Sequence, residues 1–172
     1  MTPRRQNGWG QGRRQTPGVT AALHADRFEP LPPHRAELWN RFLSWEDRTY
    51  FPDVVGLVLE EVRTDYARLR LPYRPELDQP AGVVHGGALA TLIDTVVVPV
   101  VASAYDERPR MLTVNMLVQY LGAVVGEDAV DEGWVPKRGR STMFCRAEVR
   151  TASGSLAATG ELVYSVRAAP AA

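Results

Sequence analysis

The sequence predicts an α+β domain in which a mostly antiparallel β-sheet curls around one long central helix. Residues 86–104 form one long apolar segment, about six other segments alternate apolar and polar residues, and hairpin-length turns separate several of them. Alternating segments joined by short turns pair as antiparallel strands. Since no other element could cover the remaining faces of a single buried helix, we expect the sheet to wrap around it.

The N-terminal segment differs in composition from the rest of the 172-residue chain. Residues 1–25 contain four arginines, no acidic residue and no helical or strand period. We predict a disordered basic tail at residues 1–25 and a single domain at residues 26–172. A basic arm for nucleic acid is the alternative, but four arginines with one interleaved aromatic residue, Trp9, are few for that role.

Charge and cysteine content exclude several classes of function. Lysine plus arginine and aspartate plus glutamate number 20 each, so we expect neither nucleic acid nor a membrane as partner. The single cysteine, Cys145, excludes a disulfide or a thiolate metal cluster within one chain. No apolar segment follows the N-terminal arginines, as a signal peptide would require. The sequence therefore predicts a cytoplasmic protein, and its three scattered histidines suggest no metal site.

Three elements are predicted before the central helix. In residues 33–45, apolar side chains recur at helical spacing after a proline pair, which indicates a short amphipathic helix. Residues 54–62 are predicted to form a strand, residues 63–65 a turn, and residues 66–73 the partner strand. The two strands should form a hairpin.

The apolar segment 86–104 is predicted to be a helix that protein buries on most sides. Its length would also suit a membrane span. Asp94 at its centre and Pro99 argue against a span, because a charged side chain in the middle of a bilayer is costly.

Four strands are predicted after the central helix. The even-numbered positions of residues 112–120 are apolar, which predicts one apolar face. Residues 129–135 are a weaker candidate because Gly133 interrupts them. In residues 142–150 the apolar odd-numbered positions face one way, so Cys145 should pack in the core. The last strand carries Leu162, Tyr164 and Val166.

The central helix begins with two glycines, Gly86 and Gly87, whose amides are candidates for a catalytic role. The first amides of a helix have no partner within it and carry the positive end of its dipole, so they can bind an oxyanion. The alternative is an ordinary glycine turn before a helix. His85, beside this turn, is expected to fix the loop by hydrogen bonding rather than to move protons.

Asp94 lies inside an apolar run, where an unpaired carboxylate is costly to bury. One explanation is a structural acid that bonds to the backbone or to a neighbouring hydroxyl such as Thr95. The other is a carboxylate tuned as a base or nucleophile, a common use of apolar pockets. The residues alone leave both open.

A wider set of motifs accompanies these residues. His85-Gly86-Gly87 precedes Asp94, which stands nine positions after the histidine. Further along are Thr113-Val114-Asn115-Met116, Gly126-Glu127-Asp128 and Lys137-Arg138-Gly139-Arg140-Ser141. Over residues 53–167 the combination resembles the PaaI-like (phenylacetate-pathway) branch of hotdog-fold acyl-CoA thioesterases.

The resemblance implies a hotdog fold, hydrolysis of an acyl-CoA thioester, and roles for individual residues. Asp94 would be the nucleophile or the general base, and the amide of Gly86 or Gly87 would bind the developing oxyanion. Gln79 stands where the family often has an asparagine near the thioester or the attacking water. Thr113 stands where a hydroxyl commonly helps to hold the water or the acid.

The basic stretch would contact the phosphates of CoA, although a solvated basic turn is the alternative. Its residues are Lys137, Arg138, Gly139, Arg140 and Ser141. No cofactor is expected, because CoA is part of the substrate. A non-catalytic acyl-CoA-binding module is the main rival, and Asp94 argues against it. A hotdog hydratase or dehydratase would need a different arrangement of aspartate and histidine.

We also expect a homodimer or a dimer of dimers whose active sites are shared. Asp94 is eight residues beyond Gly86, which is about 12 Å along a helix that rises about 1.5 Å per residue. A carbonyl held at Gly86 would lie beyond the reach of Asp94 in the same chain, since attack needs about 3–3.5 Å. Antiparallel packing of two such helices around a two-fold axis would solve this geometry.

Overall fold

The computed structural model describes residues 22–44 and 48–167. These residues contain three α-helices: α1 (Pro33–Trp39), α2 (Phe51–Val55) and α3 (Gly86–Ala102). Their strands are β1 (Val58–Arg63), β2 (Tyr66–Leu71), β3 (Asp78–Gln79), β4 (Val83–Val84), β5 (Arg110–Tyr120), β6 (Ala129–Arg138), β7 (Thr142–Thr151) and β8 (Leu156–Arg167). Short 3-10 turns occupy Ala25–Arg27 and Pro75–Leu77.

Six of the strands form one sheet in the order β1-β2-β6-β7-β8-β5, and every neighbouring pair is antiparallel. The short strands β3 and β4 pair with each other just before α3. The sheet wraps around α3, which packs chiefly against β6, β2 and β7. The predicted α+β architecture, a curled antiparallel sheet around one long central helix, is confirmed.

Helix α3 supplies the centre of the hydrophobic core. Its fully buried side chains include Leu92, Ile93, Val96, Val97 and Val100. Burial of this many aliphatic groups stabilises the fold by about 1.5–3 kcal/mol per side chain. The prediction of a helix that protein buries on most sides is therefore confirmed.

Two glycines let the sheet approach this helix closely. A Cβ atom on Gly133 would lie 2.9 Å from Val96 Cγ1, and one on Gly160 would lie 2.5 Å from Ile93 Cγ2. Real Cβ atoms do not come this near another carbon without a shift of the chain. Gly133 therefore continues β6 instead of interrupting it, and the strand runs past the predicted end at residue 135.

The predicted first strand began too early, because residues 51–55 are helical. Pro52 lies in the first turn of α2, and Asp53 Oδ2 accepts a 2.7 Å hydrogen bond from the Tyr50 amide, which caps the helix. Gly56, at φ 84°, then ends it. The β1–β2 hairpin is confirmed.

The first predicted helix is shorter than expected. The prediction covered residues 33–45, whereas α1 ends at Trp39 and a turn follows. Leu43 in this region has a positive φ of 76°, which no helix accommodates. Trp45 lies outside the described residues.

The prediction of one apolar face along residues 112–120 is wrong, because a β-bulge interrupts β5. Thr113 stands opposite Tyr164 of β8, whereas Asn115 stands opposite Val163, which leaves Val114 as the extra residue. A bulge reverses the alternation of side chains. Thr113 therefore shares the inner face with Met116, although the two are three positions apart.

The other strand predictions agree with the structure. Met143, Cys145, Ala147 and Val149 of β7 are all buried, and Cys145 is a free cysteine in the core. Of the predicted tail, residues 1–21 lie outside the described residues. Just after them, the amides of Leu23 and His24 donate to the Glu132 carboxylate at 2.8 and 2.9 Å.

Candidate active site

Asp94 is half-buried on the middle of α3 and is held by two hydroxyl groups from the sheet. Its Oδ1 accepts hydrogen bonds of 2.9 Å from Thr113 Oγ1 on β5 and of 2.9 Å from the Tyr164 hydroxyl on β8. The Tyr164 hydroxyl also lies 3.0 Å from the Asp94 carbonyl oxygen. The hydroxyl partners thus come from two strands, not from the neighbouring Thr95.

Tyr164 was not predicted as a site residue, because its place in an alternating strand marks it as a core residue. It is indeed 2% exposed. Burial raises the pKa of the Tyr164 phenol above its usual range, and the nearby charge of Asp94 adds to this. The phenol therefore stays protonated at neutral pH and acts as a hydrogen-bond donor.

A mostly apolar cavity of about 550 Å³ opens beside Asp94. Its walls come from α2, from the turn after α1 and from one side of α3. The lining residues are Phe42, Leu43, Tyr50, Phe51, Pro52, Asp53, Thr91, Asp94, Thr95, Val98 and Arg108. Ligand sites in proteins have this character, a concave apolar surface with a few polar groups.

The start of α3 forms a second polar feature. His85 is the N-cap, and its Nδ1 accepts a 2.8 Å hydrogen bond from the Gly87 amide. This bond corresponds to the loop-fixing role predicted for His85. Among the described residues no group accepts from the Gly86 amide, whereas the Tyr120 hydroxyl donates to the Gly86 carbonyl at 3.0 Å. Of the two glycines, only Gly86 keeps its amide available to a ligand.

Gln79 and Gly86 line a different cavity from Asp94. This cavity of about 460 Å³ lies between the β3–β4 hairpin, the start of α3 and the end of β5. Tyr120 also lines it, and its ring would stand 3.2 Å from a Cβ on Gly86. The sequence pattern placed Tyr120 only on an apolar face. Within one chain, the predicted oxyanion donor and the predicted acid thus open onto separate cavities.

The cationic side chains of the basic stretch, at the end of β6 and in the turn to β7, fall into two groups by their contacts. Arg138 forms an ion pair with Asp65, donates to the Val101 carbonyl at 3.0 Å and lies over the Tyr105 ring. The side chains of Lys137 and Arg140 are exposed and have no hydrogen-bond or ion-pair partner within residues 22–44 and 48–167.

The turn of this stretch is held by its own backbone. The Gly139 amide donates to the Thr142 carbonyl at 2.9 Å, and the Ser141 carbonyl accepts from the Val166 amide at 2.9 Å. Because Arg138 reaches Val101, the turn lies at the end of α3 that is opposite Gly86. The structure does not bring this stretch beside the glycine turn of the same chain.

None of the helices in the described parts of the chain is long and apolar enough to cross a membrane.

Comparison with known proteins shows a match to one protein family. Residues 81–158, from just before the glycine turn to the start of β8, match the model of the thioesterase superfamily. No curated protein matches the chain.

Solved structures share the fold. A conserved protein from Pseudomonas aeruginosa is 27% identical, with a TM-score of 0.66 over 70% of this chain and 95% of that one. The Escherichia coli PaaI protein, from the phenylacetic acid degradation operon, is 15% identical, with a TM-score of 0.69 over 78% and 94%. A phenylacetic acid degradation-related protein from Ralstonia eutropha is 21% identical, with a TM-score of 0.66 over 74% and 98%. The predicted hotdog fold is confirmed, and the family match agrees with the predicted resemblance to thioesterases.

Proposed function

We propose that this hotdog-fold chain, whose residues 81–158 match the thioesterase superfamily, is an acyl-CoA thioesterase that uses Asp94. The family match supports thioester hydrolysis in general. One observation carries the more specific proposal: Asp94 is held by Thr113 and Tyr164 at the wall of an apolar cavity of about 550 Å³. A fixed carboxylate beside an apolar pocket suits attack on an acyl group bound in that pocket.

In the proposed reaction, Asp94 acts on the thioester carbonyl either as a nucleophile or as the general base for a water molecule. Negative charge then develops on the carbonyl oxygen. The Gly86 amide, at the positive end of α3 and without an internal acceptor, would stabilise this charge. Gln79 lines the same cavity as Gly86 and could contact the thioester there.

Asp94 and Gly86 would meet in the active site only across a dimer. They are eight residues apart on α3, about 12 Å along the helix axis, and they line different cavities. A second copy of the chain, related by a two-fold axis, could place its glycine turn beside Asp94 of the first. Two equivalent sites would result.

The edge of the sheet offers a surface for this second copy. Strand β5 is the last strand of the sheet, so one of its edges is unpaired within the described residues. Leu112, Val114 and Leu117 on this strand are 76%, 64% and 53% exposed. An apolar, unpaired edge readily pairs with another strand, and β5 also carries Thr113 beside Asp94. A homodimer, or a dimer of dimers built from it, is part of the proposal.

The CoA phosphates would be held by Lys137 and Arg140, the cations of the basic stretch that have no partner in the described chain. The resemblance extends this contact to Gly139 and Ser141 of the same turn. Arg138 is engaged internally by Asp65 and is left out of the phosphate contact. We propose no cofactor, and a cytoplasmic location in keeping with the single buried cysteine.

A panel of acyl-CoA thioesters, assayed by the release of free thiol, tests the proposal. We expect hydrolysis of at least one member, and a loss of about 10²–10⁴-fold in kcat for Asp94→Asn, as for the removal of a general base. Asp53→Asn is the matched control, since Asp53 lines the same cavity but caps α2. Its loss should stay below tenfold.

The same panel separates the rival functions. A non-catalytic module would bind acyl-CoA without releasing thiol, and a hydratase would convert enoyl-CoA while leaving the thioester intact. If the wild type releases no thiol from any member, or if Asp94→Asn is as active as wild type, the proposed function is wrong.

A further inference from the structure

We propose that Tyr164 is a positioning residue that, together with Thr113, fixes Oδ1 of Asp94 and leaves Oδ2 as the oxygen that reacts. This inference rests on the proposed thioesterase function, because it assigns the roles of the two oxygens of the acid. Tyr164 itself lies in the core and would not touch the substrate.

The register of the sheet brings both donors to the same oxygen. Thr113 and Tyr164 are directly opposite each other on β5 and β8, and both hydroxyls lie 2.9 Å from Asp94 Oδ1. The bulge at Val114 makes this possible, since it turns Thr113 to the inner face. Sheet topology thus places two donors from separate strands on one carboxylate oxygen.

The second oxygen of Asp94 has no such partner. No group of the described residues donates to Oδ2, although Asp94 is half-buried and lines the apolar cavity. Rotating the carboxylate would break both bonds to Oδ1 and leave the buried Tyr164 hydroxyl without its carboxylate acceptor. Hydrogen bonds to a charged group are strong enough to prevent this. The ligand therefore meets Oδ2.

Either chemical route then passes through Oδ2. As a nucleophile, Oδ2 bonds to the carbonyl carbon, the carbon–sulfur bond breaks and CoA leaves as a thiolate. Water then cleaves the anhydride to release the acid, one proton and the free carboxylate. As a general base, Oδ2 takes a proton from water while the water oxygen adds to the carbonyl carbon. The carbon–sulfur bond then breaks, and the proton passes from Oδ2 to the departing sulfur.

The other polar groups around the acid do not duplicate the role of Tyr164. Tyr50, Asp53 and Arg108 line the cavity but form no hydrogen bond with Asp94 among those of the described residues. Cys145 lies near Tyr164 in the core, where burial raises the pKa of its thiol to about 12. Thr113 and Tyr164 are thus the donors that set the orientation of the carboxylate.

The test compares Tyr164→Phe, Thr113→Val and the double variant with wild type. Each single variant should lower kcat about tenfold, as the loss of one hydrogen bond to a charged group predicts. The loss should fall on kcat while KM stays within about twofold of wild type, because the two hydroxyls hold the acid and not the acyl group. The double variant should lose more than the product of the single losses, since the carboxylate can then rotate.

Two controls separate positioning from general effects on the core. Tyr66→Phe removes the hydroxyl of another buried tyrosine, on β2, and should leave both kcat and KM unchanged. Thr113→Ser keeps the donor and should restore most of the activity lost in Thr113→Val. Thermal unfolding of each variant checks that it folds, and Thr113 is exposed, so its variants remain informative if Tyr164→Phe is unstable.

An active wild type whose Tyr164→Phe variant keeps the wild-type kcat, like Tyr66→Phe, would overturn the inference while leaving the proposed function intact. If Tyr164→Phe does not fold, an unchanged kcat in Thr113→Val would overturn it. A wild type without thioesterase activity would overturn the proposed function instead, and the inference with it.

Discussion

The Nδ1 atom of His85 accepts a hydrogen bond of 2.8 Å from the Gly87 amide, two residues further along the chain. This contact makes the amides of the two glycines at the start of α3 different from each other. The Gly87 amide is occupied, whereas the Gly86 amide has no acceptor among the described residues. The sequence allowed either glycine to bind an oxyanion, and the structure favours Gly86.

Replacing Gly86 with proline should abolish most of the activity, because proline lacks the amide hydrogen that would bind the oxyanion. Gly86 is the first residue of α3, a position that proline tolerates well, and His85 already has the extended conformation that precedes proline. We expect kcat to fall about 10²–10³-fold, as for the loss of one oxyanion donor. Steady-state kinetics with an acyl-CoA substrate would measure this.

Gly86→Ala is the matched control, since it adds a Cβ against the same Tyr120 ring but keeps the amide. It should retain far more activity than Gly86→Pro. Equal losses in the two variants would show that crowding of Tyr120, not loss of the donor, is responsible.

Neutralising Lys137 and Arg140 together should raise KM for acyl-CoA about tenfold or more. The same change should barely affect KM for a short acyl thioester without the nucleotide, because phosphate contacts lie far from the carbonyl. Arg138→Gln is the contrasting variant. It should lower thermal stability instead, because Asp65 and the Val101 carbonyl lose their donor. Equal changes in KM for both substrates would show that the basic stretch does not bind CoA.

Gly133→Ala should destabilise the protein by about 1–3 kcal/mol, the usual cost of overpacking a core. The new Cβ would stand 2.9 Å from Val96 Cγ1 and force α3 away from β6. Adding Val96→Ala removes the clashing methyl groups, so the double variant should be less destabilised than the sum of the single variants. Denaturant unfolding measures the free energy of unfolding of the two single variants and the double variant. If the double variant is destabilised by the sum of the two single effects, the proposed clash is contradicted.

The buried carboxyl group of Asp131 should lower the free energy of unfolding as pH rises. Its side chain is fully buried between Leu69 and Val149, and neither carboxylate oxygen has a partner in the described chain. Burial, and then the charges of Glu132 and Glu148, raise its pKa well above the usual range.

A carboxyl with a raised pKa in the folded state binds its proton more tightly there than when unfolded. Its full contribution to stability is present below the unfolded value of about 3.9 and is lost as pH rises through the folded value. The unfolding free energy of wild type relative to Asp131→Asn should therefore fall with pH, by up to about 1.4 kcal/mol per pH unit in that window. A constant difference between the two proteins from pH 4 to pH 8 would contradict this assignment.

Periodicity predicted most of the fold, because the buried positions of α3, β7 and β8 repeat regularly in the sequence. It failed where local chemistry overrides the pattern. The cap formed by Tyr50 and Asp53 makes residues 51–55 helical, and the bulge at Val114 reverses the alternation of β5. Neither feature leaves a periodic signal.

The candidate site was only partly visible in the sequence for a related reason. Asp94 and Gly86 stand out as exceptions within an apolar segment, but Tyr164 and Tyr120 occupy positions where an aromatic core residue is ordinary. Their hydroxyls become significant only because the sheet brings them to Asp94 and to Gly86. Long-range contacts of this kind depend on strand register, which a single sequence does not specify.

The activity of a mixed dimer tests the central claim, a thioesterase site built from Asp94 of one chain and Gly86 of another. Asp94→Asn and Gly86→Pro are co-expressed with different affinity tags, and the mixed dimer is purified through both. Each parent dimer should be nearly inactive, whereas the mixed dimer should have about half the wild-type activity, because one of its two sites combines an intact turn with an intact acid. A folded mixed dimer no more active than either parent, or a fully active monomer, would contradict the account.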